Sequence, residues 1–284
     1  MFVLFGILVV VVSVFGGFLL EHGNPALLIN PAEIIIIFGA ALGSFIISSQ
    51  PKVVALVLRQ VLSLLKSKSY TKKHYMELLS LLYELFNKMK KEGAMYIEAD
   101  VEEPHNSTIF KKHPGILGEH DILNFICDNI KVMITTNPDP HELESLMEVE
   151  IETHFHESML PAKSISKVAD TLPGLGIVAA VLGIILTMGK IDQPPEVIGH
   201  SIGSALVGTF LGVLMSYGFV GPLGGKFEHL AAETKSYLET IRVAVVAFAR
   251  GAAPQIAVEF GRRAVPIKDR PLFNELERML RGGA

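Results

Sequence analysis

The sequence predicts an all-α integral membrane protein: four transmembrane helices in two pairs, with a helical cytoplasmic domain. Three observations carry that expectation. Half of the 284 residues are apolar and mean hydropathy is +0.42. Four apolar runs approach or exceed the ~20 residues a helix needs to cross a bilayer, and strand-type alternation is nearly absent. A solvated surface does not carry so much apolar side chain, so the surplus belongs in lipid. With a net charge of −4 and a pI near 6.2, no generally basic surface for nucleic acid is expected. The lone Cys127 cannot close an internal disulfide and has no neighbours at zinc spacing, so it reads as a small buried apolar residue.

The apolar runs are residues 1–20, 32–49, 168–189 and 199–223. The first lacks a basic leader and a small-residue cleavage site, and a second span follows closely, so it reads as a span and not a cleaved signal peptide. Of 25 basic residues, only Lys190 falls in a short connection between paired spans. Lys52, Arg59, Lys163, Lys167, Lys226 and Lys235 all flank the other ends, which places those ends in the cytoplasm. The connections 21–31 and 190–198, rich in Pro, Gly or Asn, then face outward. The chain is thus expected to divide into spans 1 and 2 (1–49), a cytoplasmic helical domain (50–167), spans 3 and 4 (168–223) and a cytoplasmic C-terminal helical segment (224–284).

Within the cytoplasmic domain, residues 71–92 place Tyr75, Leu78, Leu79, Leu82, Leu85, Phe86 and Met89 on one helical stripe, with charges opposite. Gly93 should end this helix. A second amphipathic run covers 119–134, and a third starts at Asp139, a candidate N-cap, and heads for the membrane. Pro161 should kink or interrupt it. After the fourth span, Phe227, Leu230, Leu238, Ile241, Val245 and Phe248 recur at helical intervals, with Arg250 and Gly251 marking the end.

Two strings imitate enzyme signatures. Gly174 to Ala179 reads GxGxxA and Gly199 to Gly203 reads GxSxG, but both lie at the ends of membrane spans, without the strand that either chemistry requires. Neither is taken as a site, and no catalysis or cofactor is expected. Glu150, Glu152, His154, His156 and Glu157 have i,i+4 spacings that suit a metal, yet a solvated face with local ion pairs is the commoner outcome. Three GxxxG pairs, Gly39/Gly43, Gly199/Gly203 and Gly208/Gly212, permit close helix approach, either within the chain or to a partner's helices. Pro173 and Pro222 lie at similar depth in spans 3 and 4, where each serves as a kink or as a hinge. Glu33, Asp170 and His200 sit near span ends, so no titratable group is expected near the midplane. Ser13, Ser44, Thr187, Thr209, Ser216 and Tyr217 are the deepest polar side chains and could line a wet path without carrying a proton. Proton transfer would then need a carboxylate from a partner.

The runs Asp170-Thr-Leu-Pro-Gly-Leu-Gly-Ile-Val-Ala-Ala-Val-Leu-Gly183, Val207-Gly-Thr-Phe-Leu-Gly212, Tyr217-Gly-Phe and Ile256-Ala-Val-Glu-Phe-Gly-Arg-Arg263 resemble the MotA family of flagellar stator subunits. The resemblance covers nearly the whole chain, including Pro31-Ala-Glu33 and the layout of two plus two spans. It implies a torque-generating, ion-conducting subunit of the bacterial inner membrane; the basic flanks place both termini, or the N-terminus at least, at the cytoplasmic face. It also implies a homopentamer around the single spans of a MotB-type partner that supplies the missing aspartate. Lys90 and Glu98 would face the FliG rotor protein, Lys90 standing where relatives commonly have arginine. Pro173 and Pro222 would couple ion passage to movement, and Ala180, Thr209, Tyr217 and Asp170 would belong to the ion path. Sodium-driven relatives carry threonine where this chain has Ala180, so proton drive is expected. An ExbB- or TolQ-like energiser of envelope processes is the alternative, although such relatives typically have three spans.

Overall fold

The computed structural model describes residues 2–63 and 69–280. The outermost limits expected above, residues 1 and 284, lie outside the described residues. In chain order the helices are α1 (Phe2–Leu20), α2 (Pro31–Ser48), α3 (Pro51–Ser63), α4 (Lys72–Glu92), α5 (Glu98–Glu102) and α6 (Pro114–Leu117). They continue as α7 (His120–Thr136), α8 (Pro140–Met188), α9 (Pro195–Val213), α10 (Gly221–Ala249), α11 (Pro254–Ala264) and α12 (Phe273–Leu280). Short 3-10 turns join several of them, and no strand occurs among the described residues.

The chain divides into two compact units, Met1–Ser67 with Ser158–His229, and Lys68–Glu157 with Leu230–Ala284. The first holds the apolar stretches. Helical segments long and apolar enough to cross a membrane lie in Val3–Leu20, Pro25–Ser48, Pro140–Met188 and Pro195–Ala249, the four runs read from sequence. Asn24 and Asn30 begin the 25–28 turn and α2 by accepting from the amides of Ala26 and Ala32 at 3.0 and 3.2 Å, with Pro31 preset for the first helical position. Asn30 also donates to Ser204 Oγ at 2.7 Å, tying this turn to α9.

Pro161 neither ends nor interrupts α8, contrary to expectation; the helix runs through both Pro161 and Pro173. Proline costs a hydrogen bond and crowds the preceding turn, but packing along this stretch compensates. Ala162 and Ala169 are buried, and Gly224 of α10 lies so close that an added Cβ would stand 2.5 Å from Ser166 Oγ. Span 4 departs from plain helix as well. Between α9 and α10 residues Leu214–Val220 form a π-helical turn, in which the Gly221 amide donates to Ser216 O five residues back.

The second unit folds around one apolar core. The seven residues of the α4 stripe are all buried, and so is Leu81, which widens the covered face. On one side of α4 lies α11, where Gly261 lets its backbone settle onto α4 and α10. A Cβ there would stand 3.0 Å from Ala244 Cβ and 3.2 Å from Leu79 Cδ2. Phe86 stacks on Phe248 with centroids 4.4 Å apart, and Tyr70 on Tyr237 at 4.1 Å. Each large side chain removed from water here contributes about 1.5–3 kcal/mol. The stops fall where the sequence places them: Gly93 and Gly251 take positive φ after α4 and α10, a conformation that costs glycine little. Asp139 caps α8 by accepting from the His141 amide at 2.8 Å.

Cys127 lies 4% exposed within this core, and burial pushes its thiol up to about 12. Only the thiolate attacks alkylating reagents. Native protein at pH 8 should therefore resist maleimide, with full labelling after denaturation; mass spectrometry showing equal labelling in both states would mean that α7 is not packed as described.

Candidate functional site

The membrane unit is built on a seam where α8 and α9 meet backbone to backbone. A Cβ on Gly176 would stand 2.7 Å from Gly208 O, and one on Gly212 would stand 2.6 Å from Leu172 O and 2.8 Å from Gly176 Cα. Closer to the turn between α8 and α9, Gly183 faces Ala205 in the same way, at 2.6 Å from its Cβ. Gly208 and Gly212 thus serve packing within the chain. Gly39, Gly43, Gly199 and Gly203 have nothing within 4 Å of an added Cβ, so those two GxxxG faces are open in the single chain.

A titratable side chain does enter this seam, from near the end of α2 where the sequence places it. Glu33 sits in the first turn of α2, but it shares a face with Ile37, Ala41 and Phe45 at four-residue intervals, and all four are buried. Its carboxyl reaches the space left by Gly208, where a Cβ would collide with Oε2 and would stand 3.0 Å from Ala179 Cβ. Glu33 is 4% exposed, and Oε2 has no hydrogen-bond partner. The i,i+4 register was visible in the sequence; what hid the site was the position of the Cα near the span end.

The predicted path residues take separate places. Ala180 is 6% exposed and packs toward α9, with its amide 3.2 Å from a Cβ built on Gly208. Thr209 is half-buried on the seam beside Gly176, whereas Asp170 is exposed. Tyr217, on the π turn, is 72% exposed. Of the other deep polar groups, Thr187 is buried and donates to Gly183 O, and Ser216 is buried. Pro173 is half-buried within α8, and exposed Pro222 directly follows the π turn. Proline 222 has no amide to offer, and the slipped register just before it is a known way for a helix to absorb such a break.

In the second unit Lys90 and Glu98 bracket a short turn. Lys90 is exposed in the last turn of α4, and Glu98 is half-buried at the start of α5. Between them Gly93 turns the chain at φ 105°, and Met95 and Tyr96 stand 69% and 66% exposed. A buried post holds this turn. Asp100 accepts from Lys88 Nζ and from Ser107 Oγ, each at 2.5 Å, and Ser107 Oγ in turn accepts from the amides of Ile109 and Phe110. The carboxylates weighed as metal ligands are engaged elsewhere: Glu150 accepts from Asn129, and Glu152 pairs with Lys235. Among the described residues no group of His, Cys, Asp and Glu is arranged to hold a metal.

Four apolar helical stretches, two of them joined by a glycine seam, together with a wholly helical second unit, define an all-α polytopic membrane protein. Residues 4–93 match the family model described as Motility protein A N-terminal, and residues 119–240 match that of the MotA/TolQ/ExbB proton channel family. Motility protein A of Escherichia coli strain K12 is 42% identical over 281 residues, covering 99% of this chain and 95% of that protein. Chemotaxis protein LafT of Vibrio parahaemolyticus is 36% identical, covering 97% of this chain and 96% of its own. The chain belongs to the motility protein A family, and so is a bacterial membrane protein. In fold it is similar to the flagellar MotAB stator complex from Bacillus subtilis, at TM-score 0.78 and 23% identity over 95% of this chain and 98% of that one.

The seam generates a paired prediction. Gly212→Ala must push α8 and α9 apart and should sharply reduce the amount of chain accumulating in membranes. Gly225→Ala, placed in open space, should leave that amount unchanged, as measured by immunoblot; equal levels for both variants would show that the seam is not closed as described.

Proposed function

We infer that this chain works as the ion-conducting, torque-generating stator subunit of a bacterial flagellar motor. The observation that carries this conclusion is the likeness to Motility protein A along 99% of the chain, because it spans the glycine seam and the charged turn together. The match of residues 4–93 to the motility protein A N-terminal model weighs against an ExbB- or TolQ-like energiser.

The subunit sits in the inner membrane with both termini in the cytoplasm, as the basic flanks require. Its copies, five by resemblance, surround the single spans of a MotB-type partner whose aspartate receives the ion. The open glycine faces at Gly39/Gly43 and Gly199/Gly203 suit such close helix contacts. One charge crossing the membrane releases about 2.3 kcal/mol per 100 mV, enough to bias a two-state packing by roughly 50-fold. Pro173 and Pro222 offer the places where that bias bends or shifts a helix. Lys90 and Glu98, held by the Asp100 post, present opposite charges to FliG.

Two tests follow. In a motile host lacking its stator, with the partner co-expressed, reversing Lys90 and Glu98 together should abolish most swimming while membrane level and partner co-purification persist. Charge reversal on FliG should recover part of it, and Pro173→Ala or Pro222→Ala should lower swimming without lowering protein. Unimpaired swimming by the double reversal would remove these residues from the rotor contact.

The second test concerns the ion. A sodium ion shedding water needs several oxygen ligands, and the methyl of Ala180 supplies none; Thr209 alone, with a partner carboxylate, makes a poor cage. Swimming speed at constant proton-motive force should thus be the same with and without sodium. Speed that vanishes in sodium-free buffer and returns in proportion to added sodium would overturn proton drive.

A further inference from the structure

We propose that Glu33 is a proton-binding site of the membrane unit, loaded through an outward-facing polar cleft and holding its proton as a neutral carboxylic acid in the packed state. The orientation of the cleft rests on the stator topology given above; the protonation of Glu33 rests on its own geometry.

The carboxyl is enclosed by α2, α8 and α9. Oε2 is buried without a partner, and the neighbouring surfaces are the bare backbone at Gly208, the methyls of Ala179 and Ala205, and Gly183, where a Cβ would stand 3.5 Å from Oε1. No ion pair reaches Glu33 among the described residues. An ionised carboxylate in such a place loses its hydration without compensation, and the usual resolution is that the group takes up a proton. An ionisable residue inside a span is expected to be functional for that reason.

A route for the proton lies beside it. A cleft of about 320 Å³ borders Glu33 and opens between the outward ends of α2, α8 and α9. Its polar lining is Asn30, Thr187, Lys190, His200, Ser201 and Ser204. The titratable groups facing it are Lys190, just beyond α8, and His200 on α9, both exposed at the rim; α2 adds none besides Glu33 itself. Water is accommodated in a space of this size and polarity. Binding is a simple exchange: hydronium in the cleft gives its proton to the carboxylate, leaving water and a neutral O–H, and the reverse step empties the site. Glycine at 208 is required because any larger side chain would occupy the place of the acid.

The test uses the purified complex of this chain with its partner, reconstituted in lipid and observed by infrared difference spectroscopy at pH 7. The carboxylic acid C=O band of the wild type should lose one component in Glu33→Gln, whereas the partner's aspartate contributes equally to both spectra. Identical spectra in that region would overturn the proposal. So would loss of the assembled complex in Glu33→Gln, because a neutral acid and an amide of the same shape fill the same space. For the route, Ser201→Cys is modified with a bulky thiol reagent applied from outside, Cys127 being buried and unreactive. The deuterium shift of the Glu33 band should then slow several-fold, and an unchanged exchange rate would refute loading through the cleft. Since neither readout involves a motor, failure here is distinct from failure of the swimming assay.

Discussion

Everything in the membrane unit depends on how close two backbones come. In lipid no hydrophobic force draws helices together, so association relies on dispersion contacts and on hydrogen bonds that lipid cannot offer. At Gly176, Gly208 and Gly212 the side chains are absent and α8 lies directly on α9. That approach fixes the lateral order of spans 3 and 4. It also leaves a space with the shape of a carboxyl group, which α2 fills with Glu33. The buried acid and the seam are one construction: glycines that draw the helices together also prevent the junction from being filled by hydrocarbon.

The second unit solves a different problem by ordinary means. Its core excludes water from large aliphatic and aromatic residues, and its polar features are fastened from below. The chain turns back at Gly93 between α4 and α5, and Asp100 ties the far side of the turn to Lys88 on α4 and to Ser107. With Lys88 27% and Asp100 9% exposed at the side chain, this pair is far less screened than a surface salt bridge. The backbone that carries Lys90 and Glu98 is therefore braced on the side of the turn where Asp100 is tied down.

Much of this was legible in the sequence because the relevant signals are local or periodic. The stripe from Tyr75 to Met89, the stops at Gly93 and Gly251, the cap at Asp139 and the four apolar runs each depend on a few neighbouring residues. Other features needed the third dimension. Pro161 predicts a kink or an interruption because local cost is visible in a sequence, while the close packing at Gly224 involves a residue more than sixty positions away. The three GxxxG pairs look alike as strings, yet only Gly208 and Gly212 face the chain's own α8. Glu33 carried a local clue in its register with Ile37, Ala41 and Phe45, but the depth of its carboxyl depends on room left by residues of two other helices. The π turn at 214–220 had no sequence signal beyond the proline that follows it.

That turn gives span 4 an unusual mechanical character. A π turn contains one residue more than the α turn it replaces, so the backbone holds a dislocation with α-helix on either side. Converting it to α geometry would advance the downstream helix by about one residue, a screw motion of roughly 100° and 1.5 Å. Because α10 follows at once from Gly221, such a displacement would turn the start of that helix about its own axis. Pro222, which has no amide hydrogen to donate back into the preceding turn, leaves one carbonyl of the π turn without its helical partner.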